Sequence, residues 1–258
     1  MNLKILTAFF RNHPQKDPQP GPANNWISSY GDMNHISVIN TFLEKEQVCT
    51  IFDIGAHHGD ITQEYYDIYP AASIYCFEPS PRSFRTLSDR FSGNPRIKLF
   101  NYAVLDKSGT VEFYCNRTSA TDSILSPSPE ARRWVDGRDA GSLDCTDLTK
   151  VESIDLDTFC KQNNIAGIDI LKIDTQGAEV HVLRGARNLL GQHKIRLILA
   201  ELLFVPVYQN QPYFYQVCDL LHSYGYSLVN LFNIRFDDDM LQMKWADGLF
   251  VCRGWDRG

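Results

Sequence analysis

A doubly wound α/β fold is predicted for this chain, with a seven-stranded sheet that is mostly parallel and carries an antiparallel C-terminal strand. Three observations predict it. Short apolar runs alternate with helical patterns from residue 48 onward, which implies parallel strands joined by helices. The first run, Ile51-Phe-Asp-Ile54, passes straight into Gly55-Ala-His-His-Gly59, the pattern of a strand, a tight turn and a helix start. The last two runs, Tyr226 to Phe232 and Gly248 to Cys252, follow one another without a helix between them, as an antiparallel pair at a sheet edge does.

Taken in order, residues 1–30 read as a short N-terminal helix and a Pro-rich arm, because prolines at 14, 18, 20 and 22 stand among polar residues. The domain proper spans 31–258. Apolar residues 33, 36, 39, 42 and 43 predict a helix over Met33 to Leu43, leading into a first strand at Val48 to Ile54. Further strands are predicted at Ser73 to Phe77, Ile97 to Val104, Ile168 to Ile173 and Ile195 to Leu203, with helices at Pro81 to Phe91, Ala178 to Leu190 and Tyr213 to Tyr224. Two segments break the alternation. Gly109 to Tyr114 and Asp122 to Leu125 predict a short β insertion, and polar residues 126–150, with Trp134 among Arg132, Arg133 and Arg138, predict a loop or lid that walls a substrate.

Composition narrows the function. The 258 residues suffice for one large domain. With 25 Lys plus Arg against 31 Asp plus Glu, the chain has a formal charge of −6 and no basic run, which argues against a nucleic-acid partner. No apolar stretch is long enough to span a membrane. Seven cysteines lack CxxC spacing and sit largely in apolar runs, so reduced thiols and a cytoplasmic location are expected.

The chemistry concentrates at strand ends. The turn lacks the third glycine of a dinucleotide fingerprint and the Gly-Lys-Ser/Thr ending of a triphosphate loop. Asp53 ends the first strand, where a carboxylate meets an ammonium group or orients the turn. Glu78 ends the second, where an acid holds both hydroxyls of a ribose, and Pro79 keeps it protruding. One turn plus one acid suits a nicotinamide cofactor or S-adenosylmethionine equally. The shortened glycine pattern and the antiparallel ending point to the latter. A dehydrogenase also calls for a third glycine near 61 and a Tyr-x-x-x-Lys base, and neither stands in place.

Asp53-Ile-Gly-Ala-His-His-Gly59, Phe77-Glu-Pro79, Asn101-Tyr-Ala-Val104, Asp169 to Glu179 and Ala200-Glu201, in that order, resemble the motifs of the FkbM family of S-adenosylmethionine-dependent methyltransferases. The resemblance covers roughly residues 48 to 232. It implies a class I, Rossmann-like methyltransferase fold and O-methylation of a hydroxyl on a small-molecule natural product or saccharide. Histidines at 57 and 58 replace the family's commoner asparagine-aliphatic pair. By similarity, Gly55, Ala56 and Gly59 form the turn at the methionine portion of the cofactor, Asp53 supports its ammonium group, Glu78 with Pro79 holds the ribose, and Asn101 and Ala103 lie against adenine. Asp122 and Ser123 are further candidates for the cofactor.

Asp174 ends the fourth predicted strand and Glu201 the fifth. In-line displacement at a sulfonium carbon needs alignment and removal of one proton from the attacking oxygen. Two converging carboxylates can share base duty or bind a divalent ion, and the sequence does not choose. Lys172, between apolar neighbours, reads as a buried, paired support for Asp174 or Glu179. A fold that keeps the pocket and only binds a partner is the reading from another class, against which Asp174 and Glu201 count.

Overall fold

The computed structural model describes residues 34–134, 141–237 and 241–254. The helix and arm expected over 1–30, and Met33 and Arg138, lie outside them. The elements run α1 (His35–Phe42), β1 (Thr50–Ile54), α2 (Asp60–Ile68), β2 (Ser73–Phe77), α3 (Pro81–Phe91), β3 (Ile97–Phe100), β4 (Ala103–Val104), β5 (Gly109–Asn116) and α4 (Ala131–Trp134). They continue with β6 (Cys145–Ile154), α5 (Leu156–Gln162), β7 (Ile168–Ile173), α6 (Glu179–Arg184), α7 (Arg187–Gly191), β8 (Ile195–Leu203), α8 (Phe214–Ser223), β9 (Tyr226–Phe236) and β10 (Met243–Cys252).

Seven strands form the main sheet in the order β3-β2-β1-β7-β8-β10-β9, with β10 antiparallel to both of its neighbours and the other pairings parallel. Every residue of β7 is buried, as a strand covered on both faces demands. Alternation along the strands divides the core. Phe52, Ile54, Phe77, Leu171 and Ile173 pack with α5 to α8 on one face, while Ile51, Ile74, Cys76, Ile170 and Leu197 pack with α1 to α3 on the other. Among the described residues no helix is long and apolar enough to cross a membrane, and all seven cysteines are free.

Four expectations change. The third run, Ile97 to Val104, splits at Asn101, whose Nδ2 donates to the carbonyls of Glu78 (2.7 Å) and Pro79 (3.1 Å) and so pins a bend. Only Ile97–Phe100 joins the main sheet, and Ala103–Val104 enters a second sheet of order β4-β6-β5. Asp122 to Leu125 forms no strand, since Ser123 alone bridges to Tyr114. The antiparallel partner of β5 is instead β6, whose first six residues fall inside the segment read as loop. That strand is largely exposed, with Val151 and Ser153 its buried residues, so no apolar alternation announces it.

The helix predicted over Ala178 to Leu190 is two, α6 and α7, parted at Gly185 and Ala186. A Cβ on Gly185 would lie 2.0 Å from the carbonyl oxygen of Leu105, so the backbone there belongs to an interface. Helix α5, which the apolar pattern did not mark, is capped by Asp155 accepting from the Thr158 amide (2.8 Å), and it buries Leu156, Phe159 and Cys160.

Candidate active site

At the ends of β1, β2 and β7 lies a cleft with about 730 Å³ of empty space, open on one side to solvent. Its polar floor is Gly55, Glu78 and Asp174, and Tyr102, Ala103, Leu105, Phe113 and Ile124 supply an apolar wall. The turn after β1 is held by two amides, Gly55 (2.9 Å) and Ala56 (3.0 Å), both donating to the Phe77 carbonyl at the end of β2. Gly55 has φ 79°, and a Cβ there would stand 1.8 Å from the Asp174 carbonyl oxygen. Glycine at 55 therefore serves a close approach between β1 and β7 as well as the turn itself.

Glu78 is buried at the cleft, and each carboxylate oxygen accepts one backbone amide: Oε2 from His57 (2.8 Å) and Oε1 from Ser80 (2.8 Å). Both oxygens keep a lone pair for a further donor. Burial pushes its carboxyl up to about 7. His57 sits opposite with φ 50°, its Nε2 2.8 Å from Ser119 Oγ and its ring stacked on His58 at 3.7 Å between centroids. Burial, and then His58, lower its basicity.

Lys172 is buried next to Asp53 on the neighbouring strand, and its Nζ lies 3.3 Å from Asp53 Oδ1, 3.5 Å from Asp174 Oδ2 and 3.2 Å from the Gly55 carbonyl. Burial pulls its ammonium down, but Asp53 and Asp174 outweigh that and hold it above its usual value. Glu179 lies beneath the next turn, where Oε1 accepts from the Thr175 amide and hydroxyl and the Gly177 amide, each at 3.1 Å. Burial raises its carboxyl to about 7, and its role is to cap that turn.

The turn presents Gln176 in the left-handed region, φ 55°. Its Nε2 donates to Asp174 Oδ1 (2.8 Å) and to Glu201 Oε2 (3.0 Å), and its Oε1 accepts from the Tyr208 hydroxyl (2.9 Å). Ser123 Oγ donates to the Gln176 carbonyl at 2.8 Å. The two carboxylates expected from sequence thus meet through an amide. Enclosure, with Asp174, Glu179 and Asp247 nearby, holds Glu201 well above the ordinary carboxylate range. Among the described residues no group of three or more His, Cys, Asp or Glu is placed to hold a metal ion.

Of the residues expected at the cofactor, Gly55, Glu78, Pro79, Ala103 and Asp122 line the cleft, with Asp174. The others lie behind it. Asp53 is fully buried, accepting from Thr62 Oγ1 (2.7 Å) and facing Lys172, and is not among the described residues that line the cleft. Ala56 is buried behind the turn. Gly59 turns toward Leu87 and Phe91 of α3, and Asn101 braces the Glu78-Pro79 backbone. Ser123 secures Gln176. Asp122, though it lines the cleft, already holds Arg82, Ser80 Oγ (2.8 Å) and the Asn116 amide (2.7 Å). Gln176 falls within the Asp169 to Glu179 motif, and the family resemblance assigns it no role. Tyr208 is buried beside it, and no sequence signal ties its hydroxyl to that turn.

The cleft's chemistry fits S-adenosylmethionine: a carboxylate with two free acceptor sites for a ribose diol, an apolar wall for adenine, and no Lys or Arg among the described lining residues to repel a sulfonium. The sequence matches a family model, the methyltransferase FkbM domain, over residues 53–228. One relative, the 2-O-methyltransferase NoeI of Sinorhizobium fredii (strain NBRC 101917 / NGR234), is 28% identical over 210 residues, which cover 79% of this chain and 82% of that protein. The crystal structure of methyltransferase FkbM from Methylobacillus flagellatus KT shares the fold, with a TM-score of 0.50 at 15% identity over 82% of this chain. This chain spans 45% of that longer protein. The chain belongs to the FkbM methyltransferase family, and S-adenosylmethionine is its methyl donor.

Proposed function

We propose that this methyltransferase O-methylates a hydroxyl of a small molecule or saccharide, with Asp174 as the base and Glu201 as the group that orients the acceptor. The observation that carries the reading is the Gln176 amide joining Asp174 to Glu201 at the strand ends. The relative's name, a 2-O-methyltransferase, supports oxygen as the atom methylated. The cofactor supplies an electrophilic methyl on a sulfonium. Glu78 is suited to hold its ribose, and the wall from Tyr102 to Phe113 its adenine.

Asp174 faces the cleft with its side chain about two-fifths open, 39% exposed, and Lys172 fixes it from beneath. As the acceptor oxygen attacks, the O–C bond forms, the C–S bond breaks with its electron pair left on sulfur, and the hydroxyl proton passes to Asp174. Enclosure, with Asp174 and Glu179 nearby, raises the Glu201 carboxyl well above the ordinary carboxylate range, which suits it to orient the acceptor rather than to share base duty. Asp174→Asn, which keeps shape and removes the base, is expected to lower kcat by roughly 10²- to 10⁴-fold. Binding of the demethylated product S-adenosylhomocysteine, followed by calorimetry, should stay within about threefold. Unchanged turnover in this variant would overturn the assignment.

A further inference from the structure

A second cavity lies on the far side of Gln176, with about 800 Å³ of empty space, lined by Glu201 and not by Asp174. The cofactor cleft is lined by Asp174 and not by Glu201, and the two cavities share Gln176 and Ala120. One amide therefore stands at the boundary between them, bonded to an acid on each side. The walls of the second cavity come from distant parts of the chain: Leu143 from the insertion, Leu203 at the end of β8, Val207 just after it, and Trp245 from β10. These side chains form one apolar cluster with Ala131 and Tyr208, so Ala131 and Leu143 of the insertion are part of a packed wall.

The cavity's chemistry is specific. Trp245 offers a flat apolar surface, and Thr118, Thr121, Ser142 and Tyr208 place hydroxyls around it. No Lys, Arg or His is among the described residues that line it, and its single acid is Glu201. Arg117, and Arg132 of the insertion, both pair with Asp144, at 3.5 and 3.0 Å. Ser142 is buried, 6% exposed, and its Oγ has no hydrogen-bond partner among the described residues. A buried hydroxyl left unpaired is costly unless a ligand or water completes it.

Resting on the methyl-transfer reading above, we infer that this second cavity is the acceptor subsite and that it takes an uncharged polyhydroxylated ring. The ring's C–H face lies on Trp245, its hydroxyls reach Ser142 and Glu201, and one hydroxyl meets the boundary at Gln176 toward Asp174. An anionic acceptor, such as a sugar phosphate, finds no cation among the described residues that line the cavity and would leave its hydration shell uncompensated there; the buried Lys244 ammonium, 4.9 Å from the Trp245 ring centroid, is not one of them.

The test uses the full chain saturated with S-adenosylhomocysteine and titrated with methyl hexopyranosides or with hexose 6-phosphates, binding being read by saturation-transfer NMR and calorimetry. Neutral glycosides should bind at least tenfold more tightly than the phosphates. Trp245→Ala should weaken the glycosides more than tenfold while the affinity for S-adenosylhomocysteine moves less than threefold, which also shows that the variant is folded. Thr118→Lys, at an exposed lining position, should bring the phosphates in. Equal binding of phosphates, an unaffected Trp245→Ala, or S-adenosylhomocysteine binding without any glycoside binding would each defeat this subsite alone. Failure of S-adenosylhomocysteine itself to bind would defeat the methyl-transfer reading and this proposal with it.

Discussion

The two cavities on either side of Gln176 are built in different ways. The cofactor cleft is made chiefly by backbone at strand ends: the Gly55 and Ala56 amides on Phe77, the His57 and Ser80 amides on Glu78, and the Gly55 turn against the Asp174 carbonyl. The second cavity is made by side chains from five separate segments, three of which meet in one apolar cluster. Backbone contacts tolerate few residue types at fixed spacing, whereas an apolar wall accepts many combinations of similar volume. The first cavity thus suits an invariant ligand, and the second can be refitted to a different acceptor without touching the first.

The hardest blow to this contrast comes at the turn. Gly55→Ala places a methyl group into the Asp174 carbonyl at a positive φ, so a loss of stability on the order of 3–5 kcal/mol is expected in urea unfolding. A loss below about 1 kcal/mol would show that the cleft is as adaptable as its neighbour.

Next in size is the response to pH. Glu78 sits near 7 in the fold against about 4.3 in an unfolded chain, so the native state keeps its proton longer. Its contribution is complete below the unfolded value and is lost as pH rises through about 7, on the order of 3 kcal/mol. Glu179 acts in the same direction. The ligand-free protein should therefore lose thermal stability from about pH 5 to 8, and Glu78→Gln should flatten part of that decline. Affinity for S-adenosylhomocysteine should rise over the same range, because ribose hydroxyls favour the charged carboxylate. A pH-independent affinity would break the link between Glu78 and the ribose.

The smallest effect sharpens the comparison at the boundary. Gln176→Ala removes the amide between Asp174 and Glu201 but no cofactor-cleft backbone. A fall of about tenfold in kcat/KM for the acceptor is expected, from loss of alignment worth on the order of 1.4 kcal/mol. Stopped-assay kinetics beside calorimetry would check it. If binding of S-adenosylhomocysteine fell instead, Gln176 would belong to the first cavity alone.

Legibility in the sequence follows the same division. Glu78 and Asp174 could be read because strand ends in a parallel sheet converge, and a Pro or a Gly after the acid marks the end. Asn101 is assigned to the adenine by the family resemblance, and its amide also turns back to brace the Glu78-Pro79 backbone, a contact that spacing does not announce. Asp53 is buried and paired with Lys172, which comes from a strand 119 residues away, and no local pattern announces that pair. Strand β6 went unseen because most of its side chains are exposed, and backbone pairing with β5 holds it without an apolar pattern.

By itself the sequence determined the doubly wound order, the turn at Gly55, the acids at 78, 174 and 201, and the family. Each of these rests on local spacing: period-two burial in strands, glycine where φ is positive, and an acid at a strand end. Only the tertiary structure decided that Asp174 and Glu201 face different cavities, that Gln176 joins them, and that Trp245 and Ser142 share a wall. These residues are separated by up to 103 positions in the chain, and their meeting depends on how the insertion and β10 pack against β8 rather than on any neighbour in sequence.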